Sequence, residues 1–448
     1  MKPGTAITGV VARFDRDGSG LIDRAVGAPL RVPGAIPGET VTGHFTRRVK
    51  SGPLIALDRV EVPSPHRVPA PCPLFGRCGG CAWQHVDYPT QRQAKLDIFR
   101  RIAAEKGVDV PLRGVRRAPD AFFYRNRMDF AFGEHGELGL RAAGRWWDVL
   151  DLPTCFLISP ESAEIVNRVR AWARVSGLPF WNAHRSEGFL RYLVIREGKR
   201  TGERLVMLVT AAPTGDERAT MEALPALLDG LATSVVWGVN PSPTDTSAAQ
   251  NIVPLRGDPW IFEQVGGIRY KITPNAFFQT HTAMAERLQQ TAKAFCGDLA
   301  GKTFLDLYGG SGFFSLFLAK SHMPKAKGPS RIIGIELSAE AIACAKENAS
   351  ANGVDAEYFV SKAEDFDWKA YAPDVVLLDP PRAGLHPKVI QTILDARPTR
   401  LVYVSCNYPR FLDEMRELGK AYRIADAAAL DLFPQTPHME CVFLLEAV

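Results

Sequence analysis

Residues 303–320 read TFLDLYGGSGFFSLFLAK. The apolar run TFLDLY is a strand, and it breaks at a glycine-rich turn that passes directly into a helical stretch. Glycines at such a turn permit positive φ and let the backbone approach a ligand closely. The same pattern repeats outward. RIIGIE (331–336) is a second strand, followed by the helix SAEAIACAKENASANG, with Ser338 as its N-cap and Gly353 as its terminator. DVVLLD (374–379) and LVYVSC (401–406) are further buried strands, and CVFLLEAV closes the chain. From about residue 274 this strand–helix alternation predicts an α/β doubly wound parallel sheet, with ligands at the carboxyl ends of its strands.

The preceding sequence differs. Residues 121–158 and 189–273 alternate in β fashion around a helix at about 160–176, which predicts a mixed α+β central region. Before it, PTQRQAKLDIFRRIAAEKG predicts a helix over about 90–107, capped by Thr90, ended by Gly107, and apolar along Leu96, Phe99, Ile102 and Ala103. VPSPHRVPA, with proline at three of nine positions, reads as a linker. Residues 1–62 carry short β-forming stretches separated by turn clusters such as DRDGSG; closing them into a small barrel would protect their edges. Three regions follow: 1–62, 63–273 and 274–448.

The chain has 448 residues, 46% of them hydrophobic, enough for two or three domains with full cores. Apolar runs are short and interrupted by charge, so no membrane span is expected. MKPGTAITGVVARF lacks the apolar core of a secretory signal, so a cytoplasmic protein is expected. The net charge is +5, but residues 90–127 alone hold ten Lys/Arg against four acids. A surplus of this kind attracts phosphates, although a solvated helix face would also account for it.

Three cysteines are crowded in CPLFGRCGGC: Cys72, Cys78 and Cys81. Soft sulfur ligands beside the small Gly79 and Gly80 suit an iron–sulfur cluster or zinc. Disulfides fit poorly in a chain expected to be cytosolic. The glycine turn spells Gly310-x-Gly312-x-x-Ser315, without the third glycine of the dinucleotide fingerprint. Glu336, ending the next strand, can accept both hydroxyls of a ribose. Cys406-Asn407 ends a strand on the side of the ligand crevice, where an isolated cysteine would ordinarily be packing.

Several motifs carry a family resemblance. Asp379-Pro-Pro-Arg382 resembles the Asp/Asn-Pro-Pro signature at the methyl-transfer site of class I methyltransferases, which implies a Rossmann-like domain binding S-adenosylmethionine. VSCN (404–407), the His438-Met-Glu440 segment and Asn275-Ala-Phe-Phe-Gln279 resemble motifs of the RNA uracil-C5 methyltransferases. RVPGAIPGETV resembles the TRAM module, an OB-like RNA-binding barrel. The cysteine segment is similar to the iron–sulfur branch of the family, which acts mainly on ribosomal RNA. The resemblance implies Cys406 as nucleophile and Glu440 as base, with Gln279, Tyr308, Gly310, Gly312, Glu336 and Asp379 at the methyl donor and Arg382 on the substrate side. It also implies Cys72, Cys78, Cys81 and Cys155 as ligands of a [4Fe-4S] cluster, with zinc the alternative. Cys296, Cys344 and Cys441 are expected to be packing residues.

RNA is the expected partner, 23S ribosomal RNA ahead of transfer RNA, with no membrane and no obligate protein partner. A noncatalytic RNA-binding protein is the competing expectation; a radical enzyme would need three cysteines and an open iron. Two positions depart from the resemblance: Gly309, where cysteine is common, and Tyr408, inserted before Pro409. Phe122, Phe123 and Tyr124 could stack bases, with core packing the leading expectation.

Overall fold

The structure is a computed structural model describing residues 1–215, 217–322 and 331–448. Its largest sheet has eight strands in the order Glu357–Val360, Arg331–Glu336, Thr303–Leu307, Val375–Leu378, Arg400–Ser405, Glu440–Ala447, Tyr422–Leu430 and Val115–Arg116. The first five are parallel. Their side chains alternate between two cores, which is why these strands are apolar at nearly every position. Phe304, Val375, Leu377 and Val402 point to one core, formed with helices Thr282–Cys296 and Phe313–His322. Leu305, Val376, Leu378 and Leu401 point to the other, with helices Pro387–Ala396 and Tyr408–Leu418.

The sheet is not wholly parallel, which corrects the sequence expectation. The last strand, Glu440–Ala447, runs antiparallel between Arg400–Ser405 and Tyr422–Leu430. Its direction places Glu440 at the end where Arg400–Ser405 finishes: the final register pair is Ser405 with Cys441, one residue short of Cys406 and Glu440. Strand order reverses at Thr303–Leu307, so the ligand crevice opens between its carboxyl end and that of Val375–Leu378.

Residues 88–116 pack on this sheet rather than on the central one. Helix Tyr88–Lys106 starts earlier than expected, because Asp87, not Thr90, is its N-cap: the Asp87 side chain accepts from the Thr90 N–H at 2.8 Å. Gly107 ends it in a left-handed conformation, φ 69°, as expected. Its apolar face, Leu96, Phe99, Ile102 and Ala103, joins the core of the eight-stranded sheet. The chain then adds Val115–Arg116 parallel to Tyr422–Leu430.

The central seven-stranded sheet runs Arg145–Asp151, Leu138–Ala142, Arg127–Phe132, Leu190–Glu197, Arg204–Thr210, Ser234–Val239 and Asn251–Arg256. Helix Pro160–Val175, capped by Ser159, covers a face of it. The hairpin Ile261–Val265/Ile268–Ile272 instead joins the C-terminal core. At the N-terminus a six-stranded sheet has Ala6–Val10 and Arg13–Phe14 as its two edges. Only two residues separate those edges in sequence, so the sheet must curl back on itself. Its small core includes Val11, Ile22, Val32, Val41 and Ile55.

Candidate active site

The crevice at the strand-order reversal holds a cavity of about 1070 Å³. Gln279, Tyr308, Gly310, Glu336, Asp379, Cys406 and Glu440 all line it, together with Arg382 and His438. Gly312 alone of the expected donor residues is not in the wall. It packs behind it at φ 83°, where a Cβ would come 2.9 Å from the Tyr358 hydroxyl.

The glycine turn is held by its own backbone. Tyr308 and Gly310 have positive φ, 65° and 54°. The Gly309 N–H donates to the Ile335 carbonyl at 3.0 Å. Glu336 then joins two loops: Oε2 accepts from the Gly310 N–H at 3.3 Å and Oε1 from the Ser338 N–H at 2.9 Å. Beneath the turn, the buried Asp306 accepts from the Ser315 N–H at 3.1 Å, and burial pushes its carboxyl up to about 7. Gly309 needs no positive φ, but a Cβ there would approach Asp306 Cγ to 3.2 Å.

Opposite the turn, the Pro380-Pro381 loop is tied to the end of Arg400–Ser405, since Asn407 Nδ2 donates to the Arg382 carbonyl at 2.8 Å. Cys406 is half-buried, and its thiol is pushed up to about 11, first by burial and then by the Glu440 carboxyl. Glu440 is 3% exposed, and burial, with Asp379 second, holds its carboxyl well above the usual range. Asp379 is raised to about 8 by burial and then by Asp306. Arg382 opposes the shift at both Cys406 and Glu440. Cys406, Asp379 and Glu440 thus all hold their protons more tightly than usual, with Arg382 acting against that at Cys406 and Glu440.

Tyr408 does not disturb this geometry. It is buried, packs its ring 4.9 Å from Phe99, and leaves Pro409 in the first turn of the following helix, where a missing N–H costs nothing. Cys441 is fully buried beside Glu440, and Cys296 and Cys344 are buried in helices, as expected of packing residues.

The loop between the last two strands carries residues that sequence alone did not single out. Phe433 lines the cavity, and the loop is clamped by residues more than 300 positions earlier. Lys95 Nζ reaches Asp431 Oδ1 at 2.5 Å and the Phe433 carbonyl at 3.1 Å, with both charged side chains wholly buried. Gln435, at φ 69° and 3% exposed, exchanges hydrogen bonds with Gln91. Its carbonyl accepts from the N–H groups of Ala82 and Trp83, directly after Cys81. Much of the basic window is therefore structural: Lys95, Lys106, Arg101 and Arg127 are in ion pairs, and Arg125 lines the cavity. Tyr124 is buried, stacked 4.7 Å from His281, while Phe123 is exposed at φ 54°.

Cys72, Cys78, Cys81 and Cys155 converge at the edge of the central sheet. Cys78 bridges to Ala142, and the Gly79 N–H donates to the Arg141 carbonyl. Burial pushes the Cys81 thiol up to about 12 and Cys155 to about 11, with the other cysteines adding to both. Among the described residues, however, no group of three or more His, Cys, Asp or Glu is set to hold a metal ion. No helix among the described residues is long and apolar enough to cross a membrane.

Residues 264–448 match the family described as tRNA (Uracil-5-)-methyltransferase. The chain is 35% identical to a tRNA (uracil(54)-C(5))-methyltransferase of Pyrococcus furiosus, over 97% of this chain and 98% of that one. It is 34% identical to a 23S rRNA (uracil(747)-C(5))-methyltransferase of Pyrococcus horikoshii, over 98% of each. The crystal structure of Pyrococcus abyssi tRNA (uracil-54, C5)-methyltransferase in complex with S-adenosyl-L-homocysteine superposes with a TM-score of 0.81, at 32% identity, covering 98% of this chain and 99% of that one.

Proposed function

The chain belongs to the RNA uracil-C5 methyltransferase family and is an S-adenosylmethionine-dependent enzyme of it, and we propose that Cys406 is its nucleophile and Glu440 its base. The observation carrying this reading is that an antiparallel final strand brings Glu440 beside Cys406 in one cavity with Asp379 and Arg382.

Carbon 5 of uracil is a poor nucleophile, so the protein must first enrich it in electrons. Cys406 Sγ, as thiolate, forms a bond to carbon 6 of the uracil, and the displaced π electrons make an enolate that is nucleophilic at carbon 5. S-adenosylmethionine supplies the electrophilic methyl group that carbon 5 accepts, the methyl–sulfur bond breaking to leave S-adenosylhomocysteine. Glu440, as carboxylate, removes the carbon 5 proton; the bond from carbon 6 to sulfur then breaks and the thiolate leaves. Arg382 lowers the proton affinity of both Cys406 and Glu440, which is the direction each step requires. The enzyme's own residues fit the donor: the Glu336 carboxylate stands at its strand end for ribose hydroxyls, and Gln279, Tyr308, Gly310 and Asp379 form the wall. Burial strengthens each electrostatic contact there. The target base must leave its stack to enter, which favours single-stranded loops.

Cys72, Cys78, Cys81 and Cys155 are the proposed ligands of a [4Fe-4S] cluster, supported by four soft donors near enough to perturb one another. Such thiols would lose their protons only on ligating metal. Residues 1–62 are proposed as a TRAM-like RNA-binding barrel, residues 63–273 as the central region and 274–448 as the methyltransferase domain. Relatives named for transfer RNA and for 23S ribosomal RNA match almost equally, so the ribosomal preference drawn from the cysteines is left to experiment.

The test is transfer of labelled methyl to unmodified transfer RNA and 23S ribosomal RNA, with the product nucleoside identified by mass spectrometry beside a Cys406→Ala control. 5-Methyluridine in one RNA, absent with the control, is the expected result. Product formed at an unchanged rate by Cys406→Ala would overturn the assignment of the nucleophile.

A further inference from the structure

Two adjacent tryptophans, Trp146 and Trp147, are 51% and 50% exposed, whereas Trp83, Trp181, Trp237 and Trp368 are buried. Tryptophan is on average highly buried, so an exposed pair calls for a reason. The two rings meet edge to face at 5.9 Å, and His184 lies 5.1 Å from one and 6.0 Å from the other. Three aromatic rings on one patch are thus held together but left open to solvent.

The patch sits on a bulged edge strand of the central sheet. The pair lies in the bulge of strand Arg145–Asp151, between the register pairs Arg145–Ala142 and Val149–Arg141, and the cysteine segment backs that hairpin. The Ala143 N–H donates to the Arg77 carbonyl at 2.8 Å, and the Gly79 N–H to the Arg141 carbonyl at 3.0 Å. A series of contacts links the patch to the wall of the catalytic cavity. The Trp146 carbonyl accepts from Arg141, whose guanidinium is 2.6 Å from Asp245. Asp245 belongs to a surface loop that ends at Ala249, which exchanges two hydrogen bonds with Asn275, at 3.0 and 2.8 Å. Asn275 lines the cavity that holds Cys406.

The nearby charges are mostly neutralised. Arg145 pairs with Asp148, Arg185 with Glu187 and Arg141 with Asp245. The patch therefore offers ring faces more than charge. Ring faces are what unpaired nucleobases recognise, and stacking of this kind tolerates sequence. A phosphate-binding surface would instead keep its arginines free.

We propose that Trp146, Trp147 and His184 form a nucleobase-stacking platform that holds unpaired bases of the RNA substrate outside the catalytic cavity. The proposal rests on the RNA methyltransferase reading and adds a second contact to it. It separates the chemistry, done at Cys406, from a grip on the flanking strand. Removing the platform should weaken RNA binding and raise the KM for RNA, leaving kcat and donor-site binding alone.

The test compares wild type, Trp146→Ala/Trp147→Ala and Trp146→Phe/Trp147→Phe. Each is measured for binding of a fluorescently labelled ten-residue oligouridylate, for its salt dependence, and for S-adenosylhomocysteine binding as the check on folding. Loss of stacking for one base predicts weakening of about 5- to 150-fold in the alanine variant. The phenylalanine variant should stay within about threefold of wild type, and the slope of log Kd against log salt should not change. Equal binding by wild type and the alanine variant overturns the platform and leaves the pair to a protein partner. A loss of salt slope in the alanine variant also overturns it, because the patch would then be binding phosphate. No oligouridylate or RNA binding by wild type would instead count against the RNA reading itself.

Discussion

Lys95→Met should be among the most damaging substitutions outside the catalytic cavity. The lysine is on helix Tyr88–Lys106, and its partner Asp431 leads the loop that carries Phe433 and His438 towards Glu440. Both side chains are wholly buried, Lys95 bonds Asp431 Oδ1, and Asp431 Oδ2 has no hydrogen-bond partner. Removing the ammonium leaves a carboxylate uncompensated in the core, a change that typically costs about 3–5 kcal/mol. That is a large part of a domain stability of about 5–15 kcal/mol. If the C-terminal sheet unfolds as a unit of about 200 residues, the midpoint should fall by roughly 6–20 °C. The double change Lys95→Met/Asp431→Leu removes both charges and should recover most of that loss, since apolar replacement of a buried pair is often neutral. Its kcat should remain low, because the Phe433 carbonyl loses its tie to helix Tyr88–Lys106 and keeps only the local bonds from Thr436. Thermal denaturation and methyl transfer on the three proteins decide the matter. A loss below about 1 kcal/mol for Lys95→Met, or a double variant with full kcat, would refute the reasoning.

Other outcomes follow from the same geometry. With its thiol near 11, Cys406 should be alkylated by iodoacetamide about 100-fold more slowly at pH 7.5 than a thiol at the ordinary 9.0, and Arg382→Ala should slow it further; peptide mass spectrometry of timed samples checks both. Asp306 has a folded pKa of about 7, raised from 3.8, so its favourable contribution is complete below pH 3.8 and is lost as pH rises through 7. Asp306→Asn should therefore raise the melting temperature more at pH 8 than at pH 5 in the ligand-free protein. Gly312→Ala meets both a φ of 83° and the Tyr358 hydroxyl 2.9 Å away, so S-adenosylhomocysteine should bind at least about 5-fold more weakly by calorimetry, as a strain of about 1–3 kcal/mol implies. Cys155→Ser should lower iron and sulfide content in anaerobically purified protein, and unchanged content would remove that residue from the ligand set.

Sequence carried the site further than it carried the fold around it. Cys406, Asp379 and Glu336 each end a strand of the alternating half, where position in the strand dictates access to the crevice. Glu440 was legible only through its motif; what brings it to Cys406 is the antiparallel strand that it begins, and direction leaves no mark on an apolar run. The neighbouring strand Tyr422–Leu430 reads YRIADAAAL, whose alanines and aspartate are poor strand formers, so its pairing overrides its propensity. The clamp on the catalytic loop was not visible because Lys95, Gln91 and Gln435 make contacts across more than 300 residues, and a lysine in an amphipathic helix ordinarily faces water. Asp87 was missed as a cap because Thr90 is also a good capping residue, one turn further on.

The most direct measurement is to trap the intermediate. Glu440→Gln should form the bond from Cys406 to uracil and accept the methyl group, but lose the base that allows release. After incubation with RNA and S-adenosylmethionine, then nuclease and trypsin, the peptide LVYVSCNYPR (401–410) should carry a methylated uridine mass at Cys406. Release of 5-methyluridine by Glu440→Gln at the wild-type rate, or an adduct on Cys441 in place of Cys406, would contradict the account.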